Sequence, residues 1–473
     1  MTKNIFITVK FMAVNLILIL TMVFSCSCKK NHDIPEIKYQ PYISEILSRP
    51  TESSITINLM ADATSEVFWE YGMAPSTYTS VSDTYIAEKD NPVVIKLENL
   101  NANSKYYYRT RYRVRGSTDE FFKGSEHTFQ TCRLAGNVFK FAIEADPHLD
   151  NNSDTAAFSL TLRNISAASP DFIIDLGDTF MSEKQTPPVI QAVVTSRHLL
   201  LRSYFDRICN SVPLYLVLGN HEGELGWRYD GTAQSVAAMS SNSRKKYFCN
   251  PIPDSFYSGN STSEPIVGLR QNYYAWEWGN ALFVVLDPFW YSTIKSDWGF
   301  TLGKEQYDWF KNVVSSSTAK FKFVFSHNLV GGNGTDMRGG TEFVDLYEMG
   351  GYNLDGTWGF DTYRPGWSKP IHTIMKENNI TVFFHGHDHF YGKQEKDGII
   401  YQEVPQPSNR SITNISAAAY GYTDGLLLPG RGYVLVTVSG QDVKIEYIGT
   451  FLPAEENASR KNAIVIDSYT VYR

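Results

Sequence analysis

The sequence predicts a multidomain chain, an all-β sandwich followed by a layered α/β domain, and three observations carry that expectation. The chain has 473 residues, 42% of them apolar and 14% aromatic, enough for more than one hydrophobic core. Between about residues 37 and 133 apolar positions alternate with polar ones, the period of half-buried strands. From Val138 onward the pattern changes to short continuous apolar runs separated by helix-length segments, as in strands covered on both faces. Only one apolar run approaches membrane length, and it sits at the start of the chain, so a multispanning membrane protein is excluded, as are collagen and coiled coil. Lys plus Arg number 43 against 50 Asp plus Glu, a net charge of −7. That balance disfavours nucleic acid as a partner, and a phosphate-bearing substrate needs positive charge arranged locally.

The first 25 residues read as a targeting segment. Lys3 and Lys10 precede a run over 11–24 that is apolar except for Asn15 and Thr21, which suits a signal-peptide core and is short for a transmembrane helix. It ends in Val23-Phe24-Ser25-Cys26, and a small residue directly before a cysteine resembles the lipobox of bacterial lipoproteins. The resemblance implies an exported protein anchored to a membrane by lipid on Cys26, facing the periplasm or the cell surface. Ordinary cleavage near Ser25, with Cys26 and Cys28 left as plain residues, is the alternative. Loss of residues 1–25, which hold two lysines and no acid, takes the charge to −9. Residues 26–36 then serve as a linker. Of the remaining cysteines, Cys209 and Cys249 are a candidate disulfide, and buried free thiols at Cys132, Cys209 and Cys249 are the alternative.

In the segment 37–133, Ile55, Ile57 and Leu59 alternate with Thr56 and Asn58, and Val67, Trp69 and Tyr71 alternate with Phe68 and Glu70. The clearest strand sets Tyr106, Tyr108, Thr110, Tyr112 and Val114 against Tyr107, Arg109, Arg111 and Arg113. The string from Leu100 to Tyr106 resembles the Leu-x-Pro-x-Thr-x-Tyr corner of fibronectin type III domains, with Ala102 in place of proline and Ser104 in place of threonine. A fibronectin type III-like sandwich is the implied fold. Arg109, Arg111, Arg113 and Arg115 share one face, either a solvated surface or a docking stripe for an acidic partner.

The segment 134–473 carries the chemistry. Its candidate core strands are the apolar runs 138–143, 172–176, 214–218, 281–286, 321–325 and 380–384, with later runs at 399–404, 432–438 and 443–448. Helical spacing appears over 301–316 and at Ile371, Ile374 and Met375. Asp146 and His148 follow the first run, Gly177-Asp178 the second, Gly219-Asn220-His221-Glu222 the third, Ser326-His327 the fifth, and His385-Gly386-His387-Asp388-His389 the sixth. Groups at the carboxyl ends of strands in an α/β sheet can converge although far apart in sequence. Singly, such pairs fit ordinary surface turns. The chain has only ten histidines, however, and His148, His221, His327, His387 and His389 all fall at these strand ends, which chance placement does not explain.

This order of motifs resembles the calcineurin-like metallophosphoesterase superfamily, and the sandwich in front resembles the N-terminal domain of purple acid phosphatases. The resemblance implies that 134–473 is a catalytic domain with a central β-sandwich flanked by helices, holding two divalent metal ions. Asp146, His148 and His389 would hold one metal and Asn220, His327 and His387 the other, with Asp178 bridging them as both ligand and catalytic residue. It further implies a metal-bridging hydroxide that attacks the phosphorus of a phosphate ester, and a His221 that assists the leaving group. Donors without thiolate suit zinc, manganese or iron. The purple enzymes usually have glycine where His148 stands and an iron-bound tyrosine where Met181 stands, so a divalent pair is expected rather than a tyrosinate–iron(III) centre. Two long insertions, 222–279 and 329–367, carry Trp227, Tyr229, Tyr352, Trp358, Tyr363 and Trp367, which read as lids over the site or as satellite cores. Arg338 and Arg364 are candidates for binding substrate oxygens, with salt bridges inside the insertions as the alternative. The expected function is an exported hydrolase of phosphate monoesters or diesters, with no obligate protein partner evident. The alternatives are a cell-surface binding or adhesion lipoprotein with a vestigial metal site, and a nuclease-type diesterase, which the acidic charge disfavours.

Overall fold

Alternating burial in the first region builds two facing antiparallel sheets. The structure, a computed structural model, describes residues 39–473; the targeting segment, Cys26, Cys28 and the 26–36 linker lie outside the described residues. Strands Ile43–Ser48, Ile55–Ala61 and Val93–Leu97 form one sheet, and the other is built on Ser65–Gly72 and Lys105–Val114. Ile55, Ile57, Leu59, Val67, Trp69, Tyr106 and Tyr108 fill the space between them. On the outer face the register sets Glu66 opposite Arg113 and Glu70 opposite Arg109. Arg109 and Arg111 pair with Glu70 at 2.6 and 2.8 Å, and Arg113 pairs with Glu66 at 2.6 Å. These three arginines are therefore paired within their own sheet, two of them on one carboxylate, as on a structural face.

Beyond residue 138 two mixed sheets stack face to face. In one, the order is Leu214–Leu216, Phe172–Asp175, Phe139–Glu144, Gly432–Val438, Asp442–Gly449 and Val465–Tyr472. The other is centred on Tyr274–Trp278, Ala281–Val285, Phe321–Phe325, Val382–His385 and Ile399–Glu403. Phe141, Ile143, Phe172 and Val436 of the first meet Trp276, Phe283, Phe323, Phe325 and Phe384 of the second in one aromatic-rich core. Helices Thr155–Ala168 and Gln191–Cys209 cover the outer face of the first sheet through Phe158, Leu162, Leu201 and Phe205. Lys304–Ser316 and Ile371–Glu377 cover the second through Tyr307, Phe310, Ile374 and Met375. With both faces dry, the strands need no polar side, which is why their apolar runs are continuous. Phe139–Glu144, Phe172–Asp175 and Leu214–Leu216 run parallel, as do Ala281–Val285, Phe321–Phe325 and Val382–His385. Within each sheet the turns that follow these strands accordingly gather at one end. Among the described residues no helix is long and apolar enough to cross a membrane.

The N-terminal sandwich packs directly on this core through a buried arginine. Arg202 donates to the Ser44 hydroxyl and carbonyl at 2.9 and 3.0 Å, to the Asn58 amide oxygen and carbonyl at 2.7 and 2.8 Å, and to the Tyr247 carbonyl at 2.6 Å. Burial pulls its pKa down to about 10. The expected Cys209–Cys249 disulfide does not form: Cys132, Cys209 and Cys249 are all free. Cys209 faces the helix-covered core, whereas the Cys249 sulfur accepts from Asn58 Nδ2 of the sandwich at 3.5 Å.

Of the insertion aromatics, Trp227 and Tyr229 join small satellite cores and Trp367 the core beneath the second sheet, whereas Tyr352, Trp358 and Tyr363 stay exposed. Trp227 packs on Phe300, Tyr229 on Trp290, Tyr352 on Trp358, Tyr363 on Trp298 and Trp367 on Tyr307.

Candidate metal centre

The turns after the strands hold the candidate ligating side chains with unusual backbone. Asp146, His148, Asp178, His387 and His389 have φ of 60°, 52°, 56°, 80° and 65°, a left-handed conformation that costs non-glycine residues roughly 1–3 kcal/mol each. Neighbouring turns lock it: Asp146 N–H donates to the Gly177 carbonyl at 2.9 Å, His148 N–H to the Asp178 carbonyl at 3.2 Å, and His387 N–H to Asp146 Oδ2 at 2.9 Å. Gly219 and Gly386 permit this crowding. A Cβ at Gly219 would lie 2.4 Å from the Asp178 carboxylate, and one at Gly386 2.7 Å from that of Asp146.

Two clusters result, Asp146 with His148 and His389, and Asp178 with His327 and His387, the ligating atoms of each lying within 4.8 Å of one another. His327 Nε2 lies 3.3 Å from Asp178 Oδ2, and His389 Nε2 3.5 Å from Asp146 Oδ1. His148 Nε2 reaches towards both carboxylates, 3.7 Å from Asp146 and 3.6 Å from Asp178. Two donors about 2.1 Å from a shared tetrahedral ion lie about 3.4 Å apart, so these gaps match ligands that share a cation better than hydrogen-bonded pairs.

The tautomers point the same way. The His327 Nδ1–H donates to the Leu176 carbonyl at 2.9 Å, which leaves the Nε2 lone pair facing the cluster. The His387 Nε2–H donates to the Asp336 carbonyl at 2.8 Å, which leaves Nδ1 facing His327 at 3.2 Å. This is how outer partners fix imidazole ligands. Asp146 Oδ1, His148 Nε2 and Asn220 Oδ1 are buried with no hydrogen-bond partner. Buried polar atoms are usually paired, and a carboxylate and an imidazole orphaned 3.7 Å apart, as Asp146 Oδ1 and His148 Nε2 are, fit a divalent cation.

Residues 139–391, more than half of the chain, match the family described as Calcineurin-like phosphoesterase. The chain belongs to that family. It is a metallophosphoesterase, a phosphoric ester hydrolase. Its fold is similar to the solved structure titled "Structure of PhoD", with a TM-score of 0.62 at 16% identity over 91% of this chain and 90% of that one. It is also similar to purple acid phosphatase PPD1 from yellow lupin (Lupinus luteus) seeds, with a TM-score of 0.60 at 14% identity over 91% of this chain and 74% of that one. No curated protein matches the chain in sequence.

The electrostatics of the phosphoesterase centre are those of a cation site. Burial alone raises the Asp146 carboxyl, yet the imidazoles of His389 and His327 outweigh it and hold the group well below the usual carboxylate range. Burial likewise opposes the Asp178 carboxylate, and His221 and His327 overcome it. In return, against the same burial, the two carboxylates carry His148 up to about 9 and His327 up to about 10. Positive charge is demanded here, and a bound cation supplies it in place of protons. Burial and the neighbouring His327 keep His387 well below its ordinary value, hence neutral.

His221 sits apart from the two clusters. Its backbone N–H donates to Asp178 Oδ1 at 2.7 Å, its Nδ1 meets Glu183 Oε1 at 2.5 Å, and its Nε2 lies 3.7 Å from Asp178 Oδ2. The Glu183 carboxyl is held below its usual range because His221 outweighs the effect of burial. His148, His221, His389 and Arg338 line a cavity of about 790 Å³.

Of the two arginines expected to meet substrate, only Arg338 lines this cavity. Its Nη1 donates to the His387 carbonyl at 2.7 Å and to Asp388 Oδ1 at 2.9 Å, and the guanidinium lies 4.1 Å from the Tyr420 ring. Arg364 is elsewhere: it pairs with buried Glu348 and donates to the Trp298 carbonyl at 2.8 Å and that of Phe300 at 3.1 Å, so it braces the insertion. Several supporting residues escaped the sequence reading. Glu222 accepts from the backbone N–H groups of Asp178 at 3.0 Å and Thr179 at 2.5 Å, and also from Gly219, so it clips the two metal turns together. Its place directly after His221 was an available signal. Asp388, between His387 and His389, accepts from Gly339 N–H at 2.9 Å and the Tyr422 hydroxyl at 2.8 Å. Arg197 donates to the carbonyls of His148 at 2.5 Å, Leu149 at 3.1 Å and Phe180 at 2.8 Å, and nothing local announced it.

Proposed function

We propose that this chain is an exported, lipid-anchored hydrolase of phosphate esters that works with two divalent cations, manganese, zinc or iron. The observation that carries the metal-dependent part is the set of orphaned, buried donors converging from turns far apart in sequence. Asp146, His148 and His389 would hold one cation and Asn220, His327 and His387 the other, with Asp178 Oδ2 within reach of both His148 and His327. When bound, such a pair lowers the pKa of water and stabilises charge on phosphoryl oxygens. The cations would supply the local positive charge that an acidic chain otherwise lacks for binding a phosphate, with Asp146 and Asp178 offsetting part of it. Glu183 holds His221 by Nδ1, so the opposite ring nitrogen is oriented to donate a proton to the departing alkoxide. Glu222 and Arg197 keep the turns in register.

Export and anchoring rest on the 1–26 sequence pattern alone, with Cys26 as the lipidated residue. A membrane is therefore the proposed partner besides the phosphate-ester substrate, and nucleic acid is not. The hydrolase reading is tested by stripping the protein with chelator, reloading Mn²⁺ or Zn²⁺, and assaying p-nitrophenyl phosphate beside its bis-ester. Metal-restored turnover of either is expected; turnover indifferent to chelation contradicts the proposal. For the anchor, Cys26→Ala should release the protein from the membrane fraction, and retention there argues against lipidation.

A further inference from the structure

We infer that the cavity selects phosphate esters of polyhydroxylated alcohols, a substrate class that rests on the hydrolase reading above and goes a step beyond it. At about 790 Å³ the cavity has the size of pockets that enclose a whole organic ligand, far more than a phosphate group requires. Beyond the histidines its walls carry four charged groups, Asp150, Lys184, Arg197 and Arg338, and a larger set of neutral hydrogen-bonding ones: Asn151, Asn152, Gln185, Thr186 and Gln406 all line it, with Leu149 and Met181 as the apolar contribution.

Asn151 and Asn152 are exposed, and their side-chain amides have no hydrogen-bond partner among the described residues. Gln185 is oriented by its Nε2–H, which donates to the Met181 carbonyl at 2.9 Å, so its oxygen remains an acceptor. Gln406 is fixed in the same way by the Asp146 carbonyl at 2.9 Å. Each free amide both donates and accepts, as a hydroxyl does, so neighbouring amides suit the hydroxyls of a polyol. Among the described residues no aromatic ring other than the histidines lines the cavity, so no platform is offered to a nucleobase or an aryl group. A substrate whose hydroxyls pair with these amides gains hydrogen bonds that an analogue lacking them cannot make, each a modest factor where water can take the place of the hydroxyl.

The test compares myo-inositol 1-phosphate with cyclohexyl phosphate on the Mn²⁺-loaded full chain. Both are secondary alkyl esters on a six-membered ring and differ in the ring hydroxyls. The wild-type kcat/KM should favour the inositol ester by roughly tenfold or more. The double variant Asn151→Ala/Asn152→Ala should cut that ratio about fivefold; if it does not fold, the wild-type ratio decides alone. Equal or reversed preference, an unchanged ratio in a folded variant, or better hydrolysis of adenosine 5′-monophosphate overturns the inference. Phenyl phosphate separates the two levels. If it is hydrolysed without any preference for polyols, the substrate class alone is wrong; if no ester is hydrolysed by metal-loaded protein, the hydrolase reading falls with it.

Discussion

The outer face of the N-terminal sandwich and the metal centre both crowd charged side chains together, and they treat them in opposite ways. Along Lys105–Val114 each guanidinium finds a carboxylate one strand away: Arg109 and Arg111 share Glu70, and Arg113 takes Glu66, over ordinary extended backbone. At the metal centre, imidazoles and carboxylates stop 3.3 to 3.8 Å short of one another. Asp146 Oδ1, His148 Nε2 and Asn220 Oδ1 have no hydrogen-bond partner among the described residues, and five of the residues involved sit at positive φ. Folding alone favours the first arrangement, since unsatisfied buried groups and strained backbone each cost stability. The second persists where a further group completes it. Charge density therefore says little about function, and unsatisfied charge says much.

The comparison breaks most visibly by removing one carboxylate from each region. Asp178→Asn should lower turnover of p-nitrophenyl phosphate by roughly a thousandfold, with bound metal falling below two ions per chain by elemental analysis. Next in size, His221→Asn should keep its metal and lose roughly a hundredfold in turnover of an alkyl phosphate, with a smaller loss for p-nitrophenyl phosphate, whose leaving group needs less help. Equal losses on both esters would remove His221 from leaving-group protonation. Arg202→Ala leaves the Ser44, Asn58 and Tyr247 carbonyls without their donor. Urea unfolding should show a cost of about 4 kcal/mol.

A buried histidine in the helix between the two regions sharpens the contrast through pH. Burial pulls His198 down to about 4, and its Nδ1–H donates to the Val194 carbonyl at 2.8 Å. Because the unfolded chain binds this proton more readily, the contribution of His198 is fully present above pH 6.5. It is lost as pH falls towards 4, by about 3 kcal/mol. Denaturation curves at pH 7.5 and 4.5 should show that loss, and His198→Gln should flatten it. The smallest effect belongs to the sandwich: Glu70→Gln should cost less than about 1 kcal/mol and leave turnover unchanged.

The sequence exposed those parts of the molecule that depend on local pattern. Continuous apolar runs marked the strands dry on both faces, and alternation marked the sandwich, because burial imprints its period directly on the residues. The candidate ligands were visible because Asp146, Asp178, Asn220, His327, His387 and His389 each stand a few residues past such a run. Pairings across the fold were not. Glu183 reaches His221 across 38 positions through a turn that no apolar period announces. For the same reason the sequence left Arg364 open between a substrate contact and a salt bridge, and the second holds, since its partners Glu348, Trp298 and Phe300 are set by how the insertion folds back. Trp227 enters its satellite core through Phe300, a contact equally distant in sequence.

Anomalous scattering from crystals equilibrated with Mn²⁺ tests the two-cation centre most directly. The account predicts two peaks about 3.5–4 Å apart, one among Asp146, His148 and His389, the other among Asn220, His327 and His387, with the Asp178 carboxylate between them. A single peak, or none beside Asp178, would contradict it.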